Sequence, residues 1–303
     1  MPPRKLHGTI GSPMPGGRSV DSSSSGGDGT SRAISFHLSS GPSREVRGAA
    51  ASAAGLRRVS PAVGLQLVVG VSGLLSPHEG DMAVKKQPQQ LSLCWAGAAS
   101  YFRAADWWSL AWGAEPLSAL ATVVRGGGDG LGHALAARGV WARCYAAAKE
   151  AGTLLAEQLR ARACGGRPVT LVGVSLGARV VWQCLEELAA LPAGEGHGVV
   201  LDVVLVAAPV TVNPARWERV APAVSGRLVN AYVPSDTQLA ELYRMDHPLS
   251  KGCCGVAAVP SERVTNYDAT PHVAADARAY HFATPAVLES VGIFPDTGSV
   301  ASD

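Results

Sequence analysis

The chain has 303 residues, enough for one large domain or two modest ones, and 47% of them are apolar, which is ample for a substantial core. A formal net charge of +2, with Lys and Arg scattered rather than clustered, argues against a nucleic-acid partner. No stretch reaches the roughly 18 uncharged, mostly apolar residues of a spanning helix. The cysteines at 94, 144, 164, 184, 253 and 254 form no C-x-x-C pair, which suits a reduced cytoplasmic compartment better than a disulfide framework.

Residues 1–60 are dominated by Gly, Ser, Pro and Arg and cannot bury enough apolar area to offset ordering entropy, so a disordered N-terminal segment is expected there. The start, "MPPRKLHGTIGSP", lacks the apolar core of a secretory signal, and the Arg and Ser enrichment over 1–58 fits either disorder or a mitochondrial transit peptide. A folded domain is expected over 61–295, with a short disordered tail at 296–303.

Within that domain the pattern predicts a strand at 65–71, then a loop through Pro77, and an irregular or helical Trp-rich stretch over 91–120. The tryptophans at 95, 107, 108 and 112 read as core packing, with an acyl pocket or a bilayer contact as the competing use. A Gly-rich break at 126–130 precedes a long Ala-, Leu-, Arg- and Glu-rich helix over about 134–163, which runs into the next strand as a crossover helix should. Further strands are expected at 169–172, 199–206, 228–233 and 263–267, and a last helix opening with Thr284 as N-cap and Pro285 at its first position. Strands and helices alternating in this way build an α/β domain, a mostly parallel sheet with helices on both faces.

One segment carries chemistry. In "RPVTLVGVSLGARVV" the serine at 175 stands between Gly173 and Gly177 where a β-branched run passes into helical spacing at Val181, Cys184, Leu185 and Leu188. Composition alone gives on the order of one accidental G-x-S-x-G in every three such chains, so the strand–turn–helix context decides in favour of a nucleophile elbow. An elbow serine needs a base, an acid to orient it, and amide donors for an oxyanion. In hydrolases with this arrangement the chain order is Ser, Asp or Glu, then His. Asp236, in the turn "PSD" after the strand at 228–233, is the candidate acid, and a solvated turn aspartate is the competing reading. The oxyanion donors would be the amides of Leu176 and of Leu74, the latter in the loop after the first strand. Cys253 and Cys254 lack further Cys or His at ligand spacing, so no metal and no cofactor is expected.

The segments "LVGVSLGARVV", "LVAAPV", "VSGRLVNAYVPSD" and "YHFATPAVLESVGI", with "VSGLL" and "WSLAWGAEPL" earlier, resemble the α/β-hydrolase-like family of the transmembrane and coiled-coil domain-containing protein 4, over roughly residues 65–293. The resemblance implies a Ser-Asp-His hydrolase core, an ester or lipid substrate, and association with membranes or vesicle-traffic proteins. Family members usually carry membrane-inserting helices ahead of the core, and nothing before residue 65 here is apolar enough to insert, so at most peripheral attachment is expected. The family pattern Gly-His-x-x-Tyr falls on Asp276, Ala277, Arg278, Ala279 and Tyr280, which lacks the histidine. His272 and His281 flank the gap, and either, or neither, supplies the base.

Two readings therefore stand. One is a serine esterase or lipase-like enzyme using Ser175, Asp236 and a histidine from 272–281. The other is an inactive hydrolase fold that serves as a partner- or lipid-binding scaffold in membrane traffic.

Overall fold

A computed structural model describes residues 55–59, 66–73, 94–126, 131–163, 166–192, 195–273 and 280–294. Among them are seven strands: β1 (Gly55–Arg58), β2 (Gln66–Ser72), β3 (Ala105–Ala111), β4 (Val169–Val174), β5 (Val200–Val206), β6 (Leu228–Tyr232) and β7 (Thr265–Asp268). They form one sheet in the order β1-β3-β2-β4-β5-β6-β7. β1 is antiparallel to β3, and every other neighbouring pair is parallel. The expected α/β class and mostly parallel sheet are thus what the chain forms.

The central strands are continuous apolar runs for a physical reason. β4 is buried at every position, so both of its faces are covered, and only apolar side chains, with Thr170, can stand there without stranded polar atoms. The helices are α1 (Ala96–Tyr101), α2 (Ala114–Gly126), α3 (Leu131–Arg160), α4 (Leu176–Ala189), α5 (Pro214–Val220), α6 (Thr237–Asp246) and α7 (Tyr280–Ser290). One group packs α3 against α2, α4 and α6, with α5 against α4; α1 packs against α7. The α3–α4 seam is close because Gly152 leaves its space to Gln183: a Cβ there would stand 2.4 Å from the Gln183 Cβ. Among the described residues no helix is long and apolar enough to cross a membrane.

Three expectations need correction. The Trp-rich stretch is helical towards both ends, in α1 and the start of α2, but its centre, Ala105–Ala111, is a strand, β3, that was not expected. This strand is buried on both faces, so it shows no period-2 alternation. Its tryptophans do serve the core: Trp107 is fully buried and stacks on Trp95 at 6.0 Å, while Trp95 lies flat over Gly70, where a Cβ would meet its ring at 2.4 Å. The last helix starts at Tyr280, not after Thr284, and Pro285 lies inside it. Thr284 Oγ1 donates to the Tyr280 carbonyl at 2.8 Å rather than capping an end. The sheet also takes in Gly55–Arg58, ahead of the expected start near Pro61, because that segment pairs with β3. The tail and most of residues 1–60 lie outside the described residues.

The entering edge of the sheet is tied by one carboxylate. Asp106 is buried and accepts from Arg58 Nε at 2.9 Å and from Arg167 Nη2 at 2.8 Å, joining the end of β1, the start of β3 and the approach to β4. Burial raises its pKa, but the hydrogen bonds from Arg167 and Arg58 and the Arg58 charge more than offset that, so the carboxyl titrates below its ordinary value. A depressed folded pKa gives stability that is present above the unfolded value of about 3.9 and lost as pH falls through the folded one. Asp106→Asn should therefore lower the melting temperature at neutral pH, by an amount worth roughly 2 kcal/mol. The gap to wild type should narrow below about pH 4. An equal gap at both pH values in thermal denaturation would contradict this role.

Candidate functional site

The site is built where parallel strands end, at the carboxyl edge of the sheet. β4 hands over to α4 at Ser175, which has φ 53° and ψ −124°, a conformation that a residue with a Cβ adopts only under constraint. The constraint is visible in the backbone. The Ser175 amide donates to the Val206 carbonyl at 2.9 Å, and the Ser175 carbonyl accepts from the Ala178 amide at 2.9 Å. Gly173 and Gly177 allow this: a Cβ at Gly173 would lie 2.5 Å from Ala178 Cα, and one at Gly177 would lie 2.0 Å from the Val71 carbonyl oxygen. Ser175 is 6% exposed, and among the described residues no group hydrogen-bonds its hydroxyl.

The end of β2 presses against the start of α4. A Cβ on Gly73 would stand 2.3 Å from the Leu176 amide nitrogen, so that amide faces the β2 end. It belongs to the first turn of a helix, where N–H groups have no intrahelical acceptor and the helix dipole favours negative charge. Leu74, the other expected oxyanion donor, lies outside the described residues.

Ser72, which sequence reasoning passed over, closes β2 in register with Val174. Its hydroxyl lies 2.8 Å from His281 Nε2, its carbonyl accepts from Trp112 Nε1 at 2.8 Å, and Trp95 meets the His281 ring edge-on at 5.7 Å. Ser72, the residue His281 meets, is therefore one strand from the elbow, about 5 Å in the direction of the hydrogen-bonded ladder. His272 stands elsewhere. Its Nε2 lies 2.6 Å from the Tyr267 hydroxyl and 3.3 Å from Ser290 Oγ, and its ring stacks on Tyr267 of β7, three strands from β4, about 14 Å away. The vacated family position, Ala277, is outside the described residues.

Asp236 follows β6 at the same edge, but its partners are not histidines. Oδ1 accepts the Leu239 amide at 2.9 Å as the N-cap of α6, and Oδ2 accepts the Tyr280 hydroxyl at 2.6 Å. Burial, with the Asp236 hydrogen bond, pushes the Tyr280 hydroxyl far above the ordinary tyrosine range, so it stays a donor. Tyr280 is the second group that the sequence reading did not place, although it fills the tyrosine of the Gly-His-x-x-Tyr pattern. Cys253 and Cys254 each donate to the Ala208 carbonyl, at 3.2 and 3.4 Å. Burial pushes the Cys253 thiol up to about 12 and Cys254 well above its usual value, so neither is a thiolate at neutral pH.

Together these features define an α/β protein whose carboxyl-edge site centres on a constrained serine, with an acid and a histidine on separate partners. The family model described as "Protein of unknown function (DUF726)" matches residues 133–294, just over half of the chain, and the chain belongs to that family. It is 37% identical over 155 residues to "Uncharacterized membrane protein F35D11.3" of Caenorhabditis elegans, covering 50% of this chain and 25% of that protein. It is 42% identical over 130 residues to "Transmembrane and coiled-coil domain-containing protein STS1" of Oryza sativa subsp. japonica, covering 43% and 19%. To "Probable lipase MIL1" of Saccharomyces cerevisiae it is 35% identical over 144 residues, covering 47% and 13%. The chain thus spans a quarter or less of the length of each of these relatives.

The Tyr280–Asp236 bond has a measurable weight. Tyr280→Phe keeps the ring and removes the donor to a carboxylate, which should cost about 1.5–3 kcal/mol in chemical denaturation. Asp236→Ala should cost more, because the N-cap of α6 goes with it, itself worth about 1 kcal/mol. A Phe variant as stable as wild type would show that the hydroxyl contributes nothing there.

Proposed function

We propose that this chain is a serine hydrolase of α/β-hydrolase architecture, an esterase or lipase-like enzyme working by acyl transfer through Ser175. One observation carries the reading: Ser175 is held at positive φ on a strand-to-helix turn whose glycines let the α4 backbone touch β2. A packed α/β core has no need of that strain, and strained residues of this kind gather at catalytic sites. The strand order supports it too. Nucleophile, acid and histidine follow β4, β6 and β7 in the chain order Ser, Asp, His.

In the proposed reaction Ser175 Oγ attacks the ester carbonyl carbon as a histidine takes its proton, and the Leu176 amide, with Leu74 as second donor, holds the oxyanion. The imidazolium returns the proton to the leaving alcohol, and water attacks the acyl-enzyme by the same path to free the acid. His281 is the favoured base, because it bonds Ser72, which itself lies one strand from the elbow. Its Nε2 must exchange the Ser72 hydroxyl for that of Ser175, a tightening that unliganded sites often still require. His272 is the weaker candidate, being engaged with Tyr267 and Ser290. The name of the relative "Probable lipase MIL1" favours a lipid ester, and the membrane names of others favour a site of action at a membrane.

The second reading, an inactive scaffold for a partner or lipid, draws on a specific observation: both Asp236 oxygens are engaged, by Leu239 and Tyr280, and neither histidine reaches Ser175. The two separate cleanly in experiment. Wild type should be labelled by a fluorophosphonate and Ser175→Ala should not, since only an activated serine reacts at a useful rate. His281→Ala should reduce ester turnover by about 100-fold or more, towards the Ser175→Ala floor, with His272→Ala well above it. If wild type itself sits at that floor and takes no label, the scaffold reading holds.

A further inference from the structure

The edge of the sheet opposite Ser175 holds a polar cleft. Its walls are the C-terminus of α3 and the turns that lead into β4 and β5, and it encloses about 370 Å³ beside Arg160, Arg162, Arg167, Glu195 and His197. Since β4 has six residues, this cleft is about 20 Å from the elbow along the strand.

Its charge is lopsided. Arg58 and Arg167 share Asp106, and Arg160 lies 3.7 Å from Glu195. Arg162 forms no ion pair with a carboxylate among the described residues. With Arg58 and Asp106 counted beside the cleft lining, four guanidiniums stand against two carboxylates among these groups, an excess of two positive charges before His197 is counted. Asp106 also holds the Arg167 guanidinium in place through a 2.8 Å hydrogen bond, as a preorganised site requires.

Arg162 occupies a backbone position that favours glycine. The Ala163 amide donates to the Gln158 carbonyl and the Arg162 amide to the Leu159 carbonyl, both at 3.0 Å, the paired bonds of a Schellman cap. Arg162 is the left-handed residue of that cap, at φ 55°. Glycine would relieve the strain, yet an arginine stands there, and its Nη1 reaches to within 3.3 Å of where a Gly166 Cβ would be. Helix-end carbonyls would be served equally by an arginine inside the last turn, such as Arg160 two positions earlier, without the unfavourable φ.

We propose that this cleft is a binding site for a phosphate monoester. Such a group carries close to two negative charges and three oxygens, matching an excess of two positive charges and several forked donors, and the cleft is larger than phosphate alone so it has room for the attached group. The proposal is independent of the reaction at Ser175.

Inorganic phosphate is the first probe, titrated into the full-length protein against sodium chloride at matched ionic strength and read as a rise in melting temperature. The variant is Arg162→Gly, which should melt at the wild-type temperature or above without phosphate, yet bind phosphate at least about tenfold more weakly. Ser175→Ala should bind as wild type does. Pelleting with phosphatidylcholine vesicles, with and without a lipid bearing a terminal phosphate monoester, then identifies the source. Retention that needs that lipid and yields to free phosphate assigns a headgroup, and phosphate binding without retention assigns a soluble ester. No phosphate-specific shift, or a shift undiminished in Arg162→Gly, overturns the proposal.

Discussion

The structure turns on the contact between the first turn of α4 and the last residues of β2, where main chain meets main chain with no side chain between. Gly177 lies over the Val71 carbonyl, and Gly73 faces the Leu176 amide so closely that any Cβ would overlap it. That approach fixes the register of β2 on β4 up to Ser72 and Val174. It also holds Ser175 in a conformation that isolated chains avoid. Strain of this kind persists only where the surroundings over-determine it, and here they do: α4 is buried on nearly every side, with Arg179 Nη2 and Gln183 joined in a hydrogen-bond chain running to Glu187 and Thr153.

From that contact the groups of the carboxyl edge follow. Ser72 presents its hydroxyl to His281 and its carbonyl to Trp112, so the end of β2 links the elbow to the last helix. Tyr280, one residue earlier, ties the same helix to Asp236. The first turn of α7 is thus pinned at two places by residues far apart in the chain, which explains how it forms upstream of Pro285 although proline deprives one carbonyl of its donor. Asp236 meets Tyr280 and Ser72 meets His281, neighbouring residues of one helical turn, so acid and histidine bond separate partners rather than each other. Central parallel strands buried on both faces also leave polar groups to their two ends: hydroxyls, an imidazole and a carboxylate at the carboxyl edge, and guanidiniums in excess of carboxylates around the cleft at the entering edge.

What the sequence by itself determined is what local signals encode. The continuous apolar runs that became β2, β4, β5 and β6 are bounded by breakers, the helix before β4 follows from its composition, and the glycines flanking Ser175 announce a tight turn whose geometry leaves little choice. Only the tertiary structure decided the rest. Ala105–Ala111 becomes a strand because β1 and β2 pair with it, not because of any alternation of its own. The partner of Asp236 lies 44 positions away, and that of His281 lies 209 positions away. Competition among tyrosine, amide and imidazole for one carboxylate is settled by where the packed elements bring each donor, and spacing along the chain carries no record of that.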